Sequence, residues 1–399
     1  MHLLSPPAFI SRLQWLPLIL VAWSLQACGG GNLIPSEPPL SDVASLGREI
    51  FKDVTLSASG QMSCATCHVP ERGHASPFES PVAMGGKGFP GDVSANASGL
   101  RLPPSIRYLK FNSEFKFESD GTPVGGFFWD GRVNSLAEQA VKPFLASNEM
   151  ANANASEVVA RVAQATYASR FKQVFGNDIF DQPEMAMSRV ALALARYQIE
   201  DPEFAPFDSK FDWVNAGKTS FTAQELRGLT WFNRADKGNC AACHPSTKPA
   251  NAPAALFTDF SYDSLGVPRN RSIAANANPA QFDMGLCGPM RSDLSHRLDL
   301  CGKFKVPSLR NVTLRKRFMH NGQFDNLNDV VRFYVTRSTQ PTAWYPTETF
   351  DDLPLHLRGN VNVVEAPYNR VRGQSAALTE QEITDLVVFL KTLNDGYKP

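Results

Sequence analysis

The sequence carries the five-residue pattern C-x-x-C-H twice, at residues 64–68 and 240–244. In this pattern the two thiols add to the vinyl groups of a heme, and the histidine that follows ligates the iron. A redox dithiol or half of a zinc site could give one copy, but zinc would need a second ligand pair near each copy, and the sequence has none. It therefore predicts two covalently bound heme c groups. Their attachment and proximal ligand residues are Cys64, Cys67, His68, Cys240, Cys243 and His244.

Residues 1–27 have the features of an export signal. Arg12 precedes an apolar run that is too short to span a bilayer. The run ends at Leu25-Gln26-Ala27-Cys28, which resembles a bacterial lipobox, so that Cys28 would carry lipid after cleavage. The alternative is an ordinary secretory signal cut near the same place. Both interpretations predict export to the periplasm, the first with a membrane anchor at Cys28, and residues 28–44 would form a flexible tether.

Export also bears on the two cysteines that remain. Of the seven in the chain, one is assigned to lipid and four to heme, which leaves Cys287 and Cys301. An oxidising compartment favours a disulfide between them. Two buried free thiols are the alternative.

Each heme motif follows a segment with amphipathic helical spacing. Residues 46–51 precede the first motif, and a helix with capping-box spacing after Thr222 precedes the second. The same order in both halves indicates an internal duplication. We therefore predict a mainly α fold with few short strands and two cytochrome c-like heme domains, at residues 45–215 and 216–399. A further amphipathic helix is expected over residues 379–393.

The repeat continues beyond the heme motifs. When Trp129 is aligned with His320, the helical stretches that follow match without a gap, and Pro143 falls on Tyr334. Tyrosine can offer its oxygen as an axial ligand, whereas proline has no donor. The first heme would then be open and the second six-coordinate. The repeat alone does not distinguish this arrangement from a core tyrosine and a proline that ends a helix.

Three further motifs give the chain a family resemblance: Phe-Phe-Trp-Asp-Gly-Arg at 127–132, Phe-Lys-Val-Pro-Ser-Leu-Arg-Asn at 304–311 and Met-His-Asn-Gly at 319–322. With the heme motifs, they make the sequence resemble the bacterial diheme cytochrome c peroxidase family over residues 45–393. Position 334 is tyrosine, as in the MauG-type branch of that family, where other members carry methionine. The resemblance therefore implies that Tyr334 is the axial ligand of the second heme.

The resemblance also implies roles for residues around the first heme. Trp129 corresponds to the electron bridge between the two hemes. Gln139, Pro143 and Glu149 correspond to the distal pocket of the peroxidatic heme, in which Glu149 would be the acid/base group. A carboxyl group suits that role if burial raises its pKa toward neutrality.

The implied activity is the reduction of hydrogen peroxide to water, via a high-valent iron state shared through Trp129. Electrons would come from a small cytochrome c or a cupredoxin. The alternatives are a MauG-like oxidase or maturase acting on a protein or organic substrate, and a non-catalytic electron-transfer cytochrome. Gly238 stands where the tryptophan-crosslinking member of the MauG branch has Trp, which argues against that member's long-range route. Basic and acidic residues number 39 each, so no nucleic-acid-binding surface is indicated.

Some positions depart from the family pattern or leave a choice open. In the family a calcium ion between the hemes is held by an Asn side chain and two backbone carbonyls; the matching positions here are Tyr108, Arg315 and Arg317. Two added cations at a cation site argue against calcium. His74 could lie on the distal side of the first heme or serve as a hydrogen-bond partner. The family often dimerises, but the sequence carries no interface signature for a homodimer.

Overall fold

The computed structural model describes residues 39–79, 85–86 and 99–399. The predicted signal sequence, the lipid site Cys28 and most of the predicted tether lie outside these residues. Residues 40–399 form one compact unit. The α-helices of the described residues are α1 Asp42–Lys52, α2 Cys64–Cys67, α3 Leu136–Leu145, α4 Ala155–Val162, α5 Ala168–Phe175, α6 Pro183–Glu200, α7 Lys210–Asn215, α8 Ala223–Asn233, α9 Leu327–Thr336 and α10 Glu380–Lys391.

Strands are few and short. Two antiparallel pairs occur in the described residues: β1 Lys116–Phe117 with β2 Pro123–Val124, and β3 Tyr262–Asp263 with β4 Phe304–Lys305. Short 3-10 turns fill many of the remaining connections. The predicted fold class, mainly helical with few short strands, is confirmed. Within the same described ranges, no helix combines the length and the apolar character needed to cross a membrane.

The first core lies where α1 packs against α6. Gly47 allows the close approach of the two helices, because a Cβ at that position would overlap the carbonyl of Ala193. Ser41 caps α1, and the carboxylate of Glu200 at the end of α6 holds the Ser41 amide at 3.0 Å and its hydroxyl at 3.1 Å. This cap fixes the start of α1 at Asp42. Residues 42–44, which were predicted to belong to the flexible tether, are therefore helical.

The second core has a similar pair of helices, α8 and α10, with α9 packed beside them. Gly228 of α8 lies against the carbonyl of Asp385 of α10, where a Cβ would again overlap. Capping boxes open both helices, at Thr222 for α8 and at Thr379 for α10. The helix predicted over residues 379–393 is therefore α10, and it packs on the second half of the chain.

Short segments of the two halves share their backbone geometry. Pro-Ser-Ile-Arg at residues 104–107 and Pro-Ser-Leu-Arg at 307–310 are each followed by a left-handed residue, Tyr108 with φ of 67° and Asn311 with φ of 60°. The loops that lead into α3 and α9 are also alike. Each is closed by an antiparallel bridge, Phe127 with Val133 in the first and Phe318 with Phe324 in the second.

Candidate heme sites and active site

A large cavity in the first half brings together the first heme motif and the residues expected on its distal side. It contains ≈ 1310 Å³ of space between protein atoms, including its open mouth. The predicted residues that line it are Cys64, Cys67, His68, Trp129, Gln139, Pro143 and Glu149. The structure thus gathers on one cavity all the residues that the sequence assigned to the first heme.

His68 is prepared to bind a metal through one ring nitrogen. Its Nδ1 lies 3.1 Å from the backbone oxygen of His74, and because a carbonyl oxygen can only accept, this bond places the ring proton on Nδ1 and the lone pair on Nε2. Burial lowers the pKa of His68 to about 4, so the ring is neutral at physiological pH. Burial raises the pKa of the Cys64 and Cys67 thiols to about 12, which keeps both protonated. A neutral imidazole beside two thiols is the donor set that heme c attachment requires.

Residues of α3 and of the turn that follows it form part of the wall of this cavity. Gln139 and Pro143 are four residues apart and share one face of the helix. The helix continues to Leu145, so Pro143 lies inside α3 and does not end it. Glu149 follows in the turn, and burial raises the pKa of its carboxyl group to about 7, an effect that Arg132 opposes. A carboxyl group with this pKa can both accept and donate a proton near neutral pH.

The second half has a cavity of its own, with ≈ 1710 Å³ of space including its open mouth. Cys240, Cys243, His244 and Tyr334 line it. The Nδ1 atom of His244 lies 2.9 Å from the backbone oxygen of Phe257, and burial lowers the pKa of the ring. Tyr334 projects from α9, and burial raises the pKa of its phenol above the usual range. Both halves therefore present a neutral histidine with its Nδ1 engaged by a carbonyl.

Two residues around Tyr334 were missed from the sequence. Tyr368 also lines the second cavity, and its ring centroid lies 6.0 Å from that of Tyr334. The fully buried guanidinium of Arg337 lies 4.3 Å from the Tyr368 ring centroid and lowers the pKa of Tyr334, against the larger effect of burial. Tyr368 reaches the cavity from a distant loop, so no spacing pattern could have indicated it.

Trp129 lines both cavities. Its side chain is held by a hydrogen bond of 2.8 Å from Nε1 to the backbone oxygen of Leu102, a residue that also lines both. Its own backbone oxygen accepts from the amide of Lys305 at 2.8 Å. Trp129 is 8% exposed, and hydrogen bonds hold both its indole and its backbone, so it contributes a fixed part of the wall of each site.

The two other histidines singled out in the sequence lie in different surroundings. His74 is fully buried behind His68, where its ring packs on Phe204 at 4.4 Å, and it is not among the residues that line the first cavity. Its backbone oxygen is the hydrogen-bond partner of the His68 ring, which agrees with the second of the two roles considered for it. His320 lines the second cavity and stacks on Phe304 at 3.5 Å.

The side chains at the three positions that match the family's calcium site make other contacts. The hydroxyl of Tyr108 donates to Asp395 at 2.6 Å. Arg315 and Arg317 line the second cavity, and Arg315 donates to the backbone oxygen of Ser308 at 2.8 Å. In the described part of the chain, no group of three or more His, Cys, Asp and Glu side chains is arranged to hold a metal ion.

The structure contains a disulfide between Cys287 and Cys301, whose Cα atoms are 4.9 Å apart. Both cysteines are buried, and Leu357 packs beside them.

Gly238 lines the second cavity, where a Cβ would approach the backbone oxygen of Trp231 to 2.5 Å. A side chain at position 238 would therefore require the backbone near Trp231 to move.

The residues of both cavities fit a covalently attached heme. Each cavity is large, is lined by two free thiols and contains a neutral histidine whose Nδ1 lies against a backbone carbonyl. Apolar side chains form most of the walls, which suits a flat hydrophobic macrocycle. His68 and His244 would hold the two irons, and Tyr334 is among the side chains of the second cavity that carry a donor atom.

Comparisons with known proteins agree with this fit. The family described as di-haem cytochrome c peroxidase matches residues 41–220. Methylamine utilization protein MauG of Paracoccus denitrificans is 34% identical over 92% of this chain and 93% of its own length. Cytochrome c551 peroxidase of Nitrosomonas europaea is 32% identical over 74% of this chain and 73% of its own length. The crystal structure of the diheme peroxidase BthA from Burkholderia thailandensis has a TM-score of 0.82 and 38% identity, covering 90% of this chain and 87% of that one. The chain therefore belongs to the di-haem cytochrome c peroxidase/MauG family of oxidoreductases, which implies two c-type hemes.

Proposed function

We propose that this chain is a periplasmic diheme peroxidase that reduces hydrogen peroxide to water with electrons from a small cytochrome c or a cupredoxin. The observation that carries the proposal is the difference between the two cavities. The first combines Pro143, which has no donor, with the carboxyl group of Glu149. The second contains the phenol of Tyr334. An open coordination position beside an acid/base group suits peroxide, and a closed one suits electron storage.

The two hemes, when bound, supply the redox centres that cleave the oxygen–oxygen bond and store the oxidising equivalents. Glu149 takes the proton from the near oxygen of peroxide and returns it to the far oxygen, which leaves as water. Two electrons from the donor and two further protons complete the formation of two water molecules. The amide of Gln139, on the same cavity, is available to hydrogen-bond the peroxide.

The axial ligand set follows from the same residues. Thioether bonds at the four motif cysteines would fix the hemes, with His68 and His244 as proximal ligands. We propose Tyr334 as the distal ligand of the second heme only. An anionic oxygen ligand favours the ferric state and lowers the reduction potential. The diferric protein is then expected to react with peroxide without prior reduction.

Trp129 is proposed to carry electrons between the two sites, since its indole forms part of both cavity walls. We also propose that the two heme-binding halves, residues 45–215 and 216–399, arose by duplication. The matching left-handed residues and bridged loops of the two halves support this origin. Export, with a lipid anchor at Cys28, completes the proposal and would give the chain access to periplasmic electron donors.

Two observations favour a second candidate function: the tyrosine at position 334 and the 34% identity to a MauG protein. In that case the chain would use the oxidising equivalents to modify a protein or an organic substrate. Gly238 leaves the second cavity without a tryptophan at the position that a known MauG route uses. A substrate of a different kind would therefore be required.

The test is to add hydrogen peroxide to the diferric protein and to record its visible and near-infrared spectrum, with and without reduced cytochrome c or cupredoxin. Rapid donor oxidation with two electrons consumed per peroxide supports the peroxidase. A long-lived spectral change that the donor does not reverse favours the oxidase. No spectral change and no donor oxidation would contradict both. The same measurement is made on the Glu149→Gln variant. Its control is Glu138→Gln, which removes an exposed carboxylate of α3.

A further inference from the structure

Neighbouring residues hold in place the hydrogen-bond acceptor of His68, the proposed proximal histidine of the first heme. The backbone oxygen of His74 accepts from the His68 ring at 3.1 Å and from the amide of Ile106 at 3.1 Å. His74 has a left-handed φ of 52°, which a non-glycine residue keeps only when its surroundings hold it. Arg107 supplies that support, because its Nε atom donates to the His74 ring at 3.2 Å.

The second half repeats this arrangement. The backbone oxygen of Phe257 accepts from the His244 ring at 2.9 Å and from the amide of Leu309 at 3.2 Å. Phe257 has a φ of 53°. Arg310 takes the place of Arg107: its Nε atom donates to the backbone oxygen of Ala255 at 2.7 Å, and its guanidinium lies 5.9 Å from the Phe257 ring centroid.

The two supports meet at one carboxylate, Asp395, in the segment that follows α10. Arg107 donates to it at 3.1 Å, and the nearest nitrogen of Arg310 lies 3.7 Å away. The residue after each arginine also donates to it, Tyr108 at 2.6 Å and Asn311 at 2.6 Å. The Asp395 side chain is 3% exposed. Arg310 is also paired with Asp212, at 2.7 and 2.8 Å. Asp395 is nevertheless the buried carboxylate that both of these equivalent segments contact.

We propose that Asp395 is a positioning residue shared by the two hemes, which sets the reduction potentials of both through the acceptors of His68 and His244. This inference rests on the proposed binding of two hemes. A hydrogen bond to the second ring nitrogen raises the basicity of a metal-bound histidine and so tunes the metal. Asp395 acts on both of these bonds through the arginines that hold the two acceptor segments.

The sign of the effect follows from charge. A buried negative charge stabilises the ferric form, which carries one more positive charge than the ferrous form, and a buried site screens this interaction weakly. Removing the charge leaves the positive charge of the arginines less compensated, so the ferrous form is favoured. Weaker support for the acceptors also makes the proximal ligands less basic, with the same result. Both effects raise the potential of both hemes.

The test is Asp395→Asn in the full protein with both hemes bound. Each heme is titrated by spectroelectrochemistry, after heme content has been measured. We expect both potentials to rise, with the ferrous-to-ferric ratio of each heme at a fixed ambient potential increasing at least about tenfold, or about 59 mV for a one-electron couple. The control is Asp208→Asn. Asp208 also anchors this segment, since it accepts from the amide of Gly396 at 2.8 Å. It differs from Asp395 in that the carboxylates paired with the two arginines, among the described residues, are Asp212 and Asp395.

A rise in only one potential, or no change in either, would overturn the inference. If Asp395→Asn does not retain both hemes, Asp395→Glu is used, which keeps the charge but displaces it; the two potentials must then move together. Loss of heme from both variants, with a normal Asp208→Asn protein, would make Asp395 a folding residue and would also overturn it. Failure of the proposed function is separable, since an unaltered protein with two hemes but no peroxide turnover still permits this measurement.

Discussion

The acid/base role of Glu149 gives the sharpest prediction, because its carboxyl group has a pKa that burial raises to about 7. Only the unprotonated carboxylate can take the first proton from peroxide. The second-order rate constant for peroxide should therefore increase about tenfold between about pH 6 and about pH 8 and then level off. An ordinary carboxyl group, with a pKa near 4.5, would already be ionised across that range and would give a flat profile.

The Glu149→Gln variant tests the origin of this profile, because it keeps the shape of the side chain and removes its ability to exchange a proton. Proton transfer by a positioned side chain contributes about 10²–10⁴-fold, which is about 3–5 kcal/mol of activation free energy. We expect a loss of that size in the rate constant and a profile that no longer changes near neutral pH. Both are measured by stopped-flow mixing of the diferric protein with peroxide.

The control is again Glu138→Gln, which should leave both the rate constant and its pH dependence unchanged, because Glu138 is exposed and does not line the cavity. The reasoning is refuted if the unaltered protein has a flat profile over this range. It is equally refuted if Glu149→Gln reacts within a factor of about ten of the unaltered protein while retaining both hemes.

Three further predictions concern other residues. Trp129→Phe should retain both hemes and slow electron exchange between them, as followed by the rate at which the second heme responds after peroxide reacts at the first. Tyr334→Phe should raise the potential of the second heme and remove the phenolate-to-iron absorption, whereas Tyr368→Phe should retain that absorption. Replacing Cys287 and Cys301 together by Ser should lower the free energy of unfolding by about 3 kcal/mol in a denaturant titration, with heme content unchanged.

Local spacing in the sequence was sufficient to predict the helices whose first turn is fixed by hydrogen bonds between residues a few positions apart. The capping boxes at Thr222 and Thr379 begin helices where the residue pattern predicts them. The start of α1 could not be predicted in this way, because Ser41 is fixed by Glu200 at the far end of α6. The crossing at Gly47 likewise depends on a helix that is distant in sequence.

The candidate site likewise combines residues that could be predicted from the sequence with residues that only the folded chain brings together. The heme motifs follow from short spacings, whereas Gln139 and Pro143 were expected from the family resemblance, and Pro143 also from the internal repeat. The first cavity contains the first motif together with both residues. Tyr368 and Asp395 reach the site from segments that no periodic pattern connects to it. Burial, which raises the pKa of Glu149, is also a property of the folded chain. The family resemblance indicated Glu149 as the acid/base group, and its buried surroundings give the carboxyl group a pKa that suits this role.

The proximal sides of the two sites are closely matched, and this limits where a difference between the hemes can arise. The acceptors of His68 and His244 have nearly equal φ values, 52° and 53°, and similar hydrogen-bond lengths, 3.1 and 2.9 Å. Two histidines held so similarly should donate to iron with similar strength. A large measured difference in potential or in reactivity must then come from the other walls of the cavities. Under the proposed ligand set, that difference lies in the phenol of Tyr334 in the second cavity and in the proline at position 143, beside Glu149, in the first.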